Sequence, residues 1–286
     1  MAVPTVRRRR LGAELRKIRE DRGLSLEEVG QVPGLGMTTT KLSRLETARS
    51  AAKLDDITKL LDFYAYDVER REALLTLVRE AGKRGWWMPY SAGLPPVYSD
   101  LISLEDDASK IRIYEPLILP GLLQTASYAR AAIQATRMHN DGASIDAKVE
   151  VRMARQSVLT KPNAPAIWVV VHEAALSVRV GSNASIMRDQ LQRLVDLSEL
   201  PNVNIQVLPA SSALHPGLMG GFTLIGFPDR TDLDVAYSER LLDSVYIEDP
   251  AEVELYGAAF QGITAEALPV DASLRHITQQ KDTFSE

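Results

Sequence analysis

Apolar residues recur at helical spacing through the first part of the chain. Leu11, Leu15 and Ile18 share one face of a helix over residues 7–22. Gly23 follows where a C-terminal cap belongs. Ser25 then caps a short second helix, "LEEVGQV", and Glu28, three residues on, completes a capping box. Gly30 is costly inside a helix, and a close helix–helix approach is a reason to keep it. "PGLG" at Pro33–Gly36 breaks the chain. A third helix begins within "MTTTKLSRLETAR" (37–49), with Leu42 and Leu45 facing inward. "LDDITKLLDFY" (54–64) gives a fourth, with Leu54, Ile57, Leu60 and Leu61 on its apolar face, and Val68–Arg84 a fifth.

The pattern then changes. Residues 85–100, "GWWMPYSAGLPPVYSD", lack helical period and read as a linker packed onto a domain. Beyond it helices and strands alternate. Helices are expected over Ser99–Lys110, Ala126–Met138, Ile145–Thr160, Ser185–Leu200, Pro250–Leu268 and Val270–Gln280. "IRIYEPLILPGLLQT" is extended, with a turn at Pro120–Gly121. "AIWVVVHE" reads as a buried strand, "VNIQVLP" as one alternating in and out, and "GGFTLIGFP", "LDVAYSE" and "DSVYIED" as three more. The expected fold is a mainly α helix-turn-helix bundle over 1–84, then an α+β domain over 85–286 with a small mixed or antiparallel sheet.

Charge sharpens this division. The chain carries −5 overall, yet residues 1–53 sum to +6 and the remainder to −11. A basic head on an acidic body suggests that the head meets a polyanion. The chain has 286 residues and no cysteine, which excludes disulfides and fits a reducing cytoplasm. No apolar run is long enough to span a bilayer.

The second and third helices, with a glycine-containing turn between them, form a helix-turn-helix pattern. In that motif the N-terminal residues of the second helix read base edges in the major groove of double-stranded DNA. Thr38 can cap this helix, which puts Thr39 and Thr40 at its first exposed positions. Arg44, one turn on, can grip a guanine or a phosphate. Arg7, Arg8, Arg9 and Arg10 read as a basic arm that contacts phosphates or enters the minor groove. One short recognition helix reads few base pairs, so a homodimer on a palindromic site is expected. An ordinary helical bundle with a solvated basic face would share the charge, but turn, caps and charge together favour DNA.

"RRRLGAELRKIREDRGLSLEEVG" and "TTTKLSRLETAR" resemble the Cro/repressor-type helix-turn-helix family, often called XRE, over residues 7–64. The turn "QVPGLGM" is longer than is usual there. The resemblance implies base-reading positions at Thr39, Thr40 and Arg44. It implies phosphate positions near Ser25, Leu26, Lys41 and Arg49. Leu26 could offer only its backbone N–H. Further on, "YEPLILPGLLQTASYARA", "VRMARQSVLT", "VVVHEAALSVRVGS" and "GGFTLIGFPDRTDLDVAYSE" are similar to the effector half of WhiJ-like (antitoxin-like) actinobacterial regulators. That resemblance implies a cytoplasmic transcription regulator with a small acidic partner protein encoded nearby.

Candidate chemistry in the second half is sparse. The four histidines (His139, His172, His215, His276) have no metal-ligand spacing, so no metal is expected. His172–Glu173, after a strand, reads as structural. "HPGLMGGF" lacks a Walker lysine, and no nucleophile elbow occurs. No enzyme activity and no cofactor are therefore expected. The apolar segment carrying Leu117, Leu119, Leu122 and Leu123 is either core or the lining of a pocket or protein groove. Arg152 and Arg155 share a predicted helix face. They either form a basic patch for the partner or pair with carboxylates inside the domain. A small-molecule ligand for this half is the alternative to a protein partner.

Overall fold

In the computed structural model Leu11, Leu15 and Ile18 are all buried on one side of α1 (Val6–Asp21). The structure describes residues 6–67, 71–72, 74–75, 78–79, 96–136, 144–180, 183–228, 234–240 and 243–284. The chain divides into two units, Met1–Met88 and Pro89–Glu286.

In the first unit, α1 ends where Gly23 takes φ +67°. The Gly23 N–H donates to Glu20 O and the Leu24 N–H to Arg19 O, the paired bonds of a Schellman cap. The capping box of α2 (Leu26–Gly30) is formed. A Cβ on Gly30 would stand 2.7 Å from Thr39 N, so the close approach expected of this glycine is that of α2 to the start of α3 (Thr39–Glu46). α4 (Leu54–Phe63) buries Ile57, Leu60 and Leu61. Leu54, expected on that face, stands at the first position of the helix and is 41% exposed. These side chains join Val29, Leu42, Leu45, Tyr64, Leu74, Leu75 and Val78 in one core. The described part of the expected fifth helix (71–72, 74–75, 78–79) is helical. The rest of it, and residues 85–95 of the expected linker, lie outside the described residues.

In the second unit, Pro96 opens a helix rather than closing a linker. α5 (Pro96–Asp107) starts on a proline whose fixed φ suits the first helical position and whose missing N–H is not needed there. It ends earlier than expected because Lys110 already belongs to a strand. Six strands form one sheet: β1 (Lys110–Glu115), β2 (Ala166–His172), β3 (Val203–Leu208), β4 (Phe222–Gly226), β5 (Val235–Glu239) and β6 (Ser244–Ile247), in the order β3-β2-β1-β4-β5-β6. β1, β2 and β3 run parallel; β4, β5 and β6 continue antiparallel. The sheet is therefore mixed. Connection length explains which half is which. α6 (Ala126–Thr136) and α7 (Ile145–Arg155) cross between β1 and β2, and α8 (Glu173–Ser177) and α9 (Ala184–Leu197) between β2 and β3. The last three strands are joined by short links.

β3 departs from the expected alternation and is buried along most of its length. It is an edge strand, but Leu268 and the first turn of α11 (Val270–Asp282) seal that edge. Leu268 N–H donates to Val207 O at 2.8 Å, and Val207 N–H donates to the Ser273 hydroxyl at 2.9 Å. One sheet face packs Tyr114, Val170, Leu208, Phe222 and Leu224 against Val253, Phe260 and Ile263 of α10 (Pro250–Glu266). Among the described residues no helix is long and apolar enough to cross a membrane.

Candidate nucleic-acid interface

A helix that reads DNA must be held from behind so that its outer face stays free. Leu42 and Leu45 supply the apolar part of that hold. Arg19 supplies the polar part. Its guanidinium forks onto Glu46, with Nε at 2.7 Å from Oε1 and Nη2 at 2.8 Å from Oε2, and its Nη1 donates to Leu24 O. The ion pair is buried at 9% and 4% side-chain exposure. The hydrogen bonds it donates to Glu46 raise the Arg19 pKa against the cost of burial. A Cβ on Gly12 would stand 2.5 Å from Glu46 O, so only a glycine lets α1 cross the end of α3 this closely.

Both ends of α3 are capped. Thr38 Oγ1 accepts from Lys41 N at 3.2 Å. At the other end Ala48 N–H donates to Leu45 O and Arg49 N–H to Arg44 O, a second Schellman cap. Its left-handed residue is Ala48, with φ 55°, where a glycine would be unstrained.

The outer face of α3 carries Thr40, Ser43, Arg44 and Thr47. Thr40, Arg44 and Thr47 are exposed, and no carboxylate engages Arg44 among the described residues. Thr47 donates to Ser43 O at 2.6 Å, which leaves its oxygen lone pairs outward. Ser43 and Thr47 were not among the expected contacts. Their four-residue spacing, parallel to that of Thr40 and Arg44, was the available signal. Thr39, expected to read bases, lies half-buried against Gly30, where it packs α3 onto α2.

The expected phosphate contacts divide. The Arg49 side chain is exposed, with no partner among the described residues, just beyond the cap. Lys41 is instead tied to Asp56 at 2.7 Å and to Gly36 O at 3.2 Å, because α4 brings a carboxylate beside it. The Ser25 amide donates to Glu28 Oε2 at 2.7 Å, and that bond holds the Glu28 carboxyl below its usual pKa. A carboxylate therefore occupies the position a phosphate would take. Arg7–Arg10 lie in the first turns of α1 rather than in a free arm, since helix propagation extends to Val6. The side chains of Arg7 and Arg10 lie outside the described residues.

In the second unit the two candidate surfaces prove to be one internal joint. Leu119, Leu122 and Leu123 are fully buried; only Leu117, 67% exposed, remains outside. Arg155 forks onto Glu105 at 2.5 and 2.8 Å and donates to the Tyr98 hydroxyl at 3.0 Å. Burial disfavours its charge, but Glu105 and Tyr98 together raise its pKa above the ordinary arginine value. Arg152 donates to Gln124 Oε1, whose amide in turn donates to Leu119 O. Gln156 donates to Gly121 O and Gln124 O. The arginine face of α7 thus packs onto the apolar segment, in keeping with the internal one of the two alternatives for each.

His172 Nδ1 accepts from Ala174 N at 3.1 Å and caps α8. His276 lies 3.1 Å from Glu173. His139 is outside the described residues. Among the described residues no three metal-ligating side chains converge.

Residues 10–74 match the model of a helix-turn-helix domain, and residues 98–279 match that of a domain of unknown function, DUF5753. Searches of curated proteins and of solved structures returned no match. The first match, on a bundle whose second motif helix presents an exposed arginine, supports a DNA-binding regulator. The second covers more than half of the chain, which therefore belongs to the family that carries the domain of unknown function DUF5753.

Proposed function

We propose that this chain is a sequence-specific transcriptional regulator. It acts in the cytoplasm as a homodimer on a palindromic operator, with α3 in the major groove of each half-site. The observation that carries the reading is the outer face of α3. Thr40, Ser43, Arg44 and Thr47 are presented to solvent, while Arg19, Glu46, Leu42 and Leu45 hold the helix from behind. Arginine and hydroxyl side chains in this arrangement suit guanine edges and phosphates. Selection of bound sequences from random duplexes should return a two-fold motif with half-sites about one helical turn apart. Light scattering on the full chain should report a dimer. A monomer that selects no motif would sink the proposal.

The second unit supplies the regulatory input, and catalysis is not part of the proposal. The WhiJ-like resemblance favours a small acidic protein as that input. Net charge would not draw it to an acidic body, so apolar contact would have to. Leu214, Leu218 and Met219, all more than half exposed within six residues, are suited to this. A small-molecule input is the second reading, favoured by a cavity beside Arg112.

A further inference from the structure

We propose that the second unit binds a small planar organic acid in the cavity between the N-terminal ends of β1, β2 and β3 and the helix α10. This assigns a site and a ligand class to the small-molecule reading above, and rests on that reading only for the regulatory consequence.

The register of the sheet builds the cavity. Arg112 stands opposite Trp168, and Trp168 opposite Asn204, all on the face that α10 covers. Further along the same strands this face is apolar and closed: Tyr114, Val170 and Leu208 pack beneath α10. At Arg112 the closure fails and a cavity of about 460 Å³ opens. That is the size of an ordinary small-molecule site, typically about 300–1,000 Å³.

Its walls combine aromatic surface with unspent positive charge. Trp168 remains 37% exposed although its indole N–H is already satisfied by Gln206 at 2.7 Å, so the ring is held in place and left bare. Phe260 closes the opposite side, with the Arg112 guanidinium 5.8 Å from its ring centroid. Two cations face one carboxylate. Asp234 accepts from Phe227 N–H at 3.2 Å and pairs with Lys110 at 3.1 Å. Among the described residues Arg112 has no such bond, and its Nε is buried without a hydrogen-bond partner. Burial lowers its pKa, an effect that Asp234 only partly offsets. A half-buried guanidinium is costly unless a polar partner satisfies it, and a cation–π contact alone offsets little of that. A carboxylate supplies the missing acceptor in the geometry a guanidinium prefers. A ring attached to it would lie along Trp168.

The test uses the full-length protein and two probes of one shape, indole-3-acetate and its neutral primary amide. Calorimetry and thermal shift should show the acid binding at about 1 mM or tighter, and the amide at least about tenfold more weakly. Arg112→Gln should abolish that preference without lowering the melting temperature of the free protein, while Arg112→Lys should keep part of it. Trp168→Ala should weaken acid and amide alike. The site is overturned if neither probe binds, if the amide binds as well as the acid, or if Arg112→Gln retains the preference. Should Arg112→Gln fail to fold, the contrast between acid and amide on the native protein still decides the matter. DNA affinity measured with and without the acid is a separate readout. Binding of the acid with unchanged DNA affinity would leave the site standing and remove its regulatory role.

Discussion

The helices Thr39–Glu46 and Ile145–Arg155 invite the same reading and have opposite fates. Each is short, amphipathic and basic toward its C-terminal end. In the first, Arg44 is exposed with no partner among the described residues. In the second, Arg155 is buried in a fork with Glu105. The first unit contains the same buried fork, Arg19 with Glu46, and there it serves to leave another arginine free. An arginine's availability is thus set by what faces it across the fold, and helical spacing alone does not report it.

Breaking a buried fork should have the largest effect. Arg155→Ala leaves the Glu105 carboxylate buried and alone, and should destabilise the second unit by about 3–5 kcal/mol, measured by denaturant unfolding. A loss below about 1 kcal/mol would show that the pair is solvated, and would return Arg155 to the surface. Glu46→Ala should cost the first unit roughly 3 kcal/mol by the same mechanism. It should also lower DNA affinity, because α3 loses its rear support. Arg44→Ala is the contrasting case. Stability should stay within about 0.5 kcal/mol of the native protein, while binding to the selected DNA site weakens by ~1–3 kcal/mol and preference relaxes at one base pair. Anisotropy titrations on matched and mismatched duplexes read both quantities.

Smaller effects sharpen the comparison at the ends of α3. Thr38→Ala removes the N-cap and should cost about 1 kcal/mol. Ala48→Gly should do the reverse. It relieves a left-handed alanine and should stabilise the first unit by roughly 0.5–1 kcal/mol, after the greater chain entropy of glycine is counted. A destabilised Ala48→Gly variant would argue that the Ala48 methyl contributes more to packing than its backbone conformation costs.

Much of the first unit was legible because its signals are local. The capping box at Ser25 and Glu28, the cap at Thr38, the glycine end of α1 and the close approach at Gly30 each depend on residues near one another in sequence. So did the outward direction of Thr40 and Arg44. What the sequence left open were positions whose environment comes from afar. Thr39 follows the cap but faces α2, Lys41 meets Asp56 from the next helix, and Leu119, Leu122 and Leu123 meet α7 and α9.

By itself the sequence determined where the second and third helices are capped, that a basic helical head precedes an acidic α+β body, and which residues form the inner face of α3. These follow from backbone hydrogen bonding and hydrophobic period, which act over a few residues. Tertiary structure alone decided that the sheet is mixed, that β3 is sealed at its edge, that Arg155 is internal, and that Arg112 lines a cavity beside Trp168. Each of those depends on groups separated by tens of residues, and a charge or an apolar side chain carries no local mark of what will be folded against it.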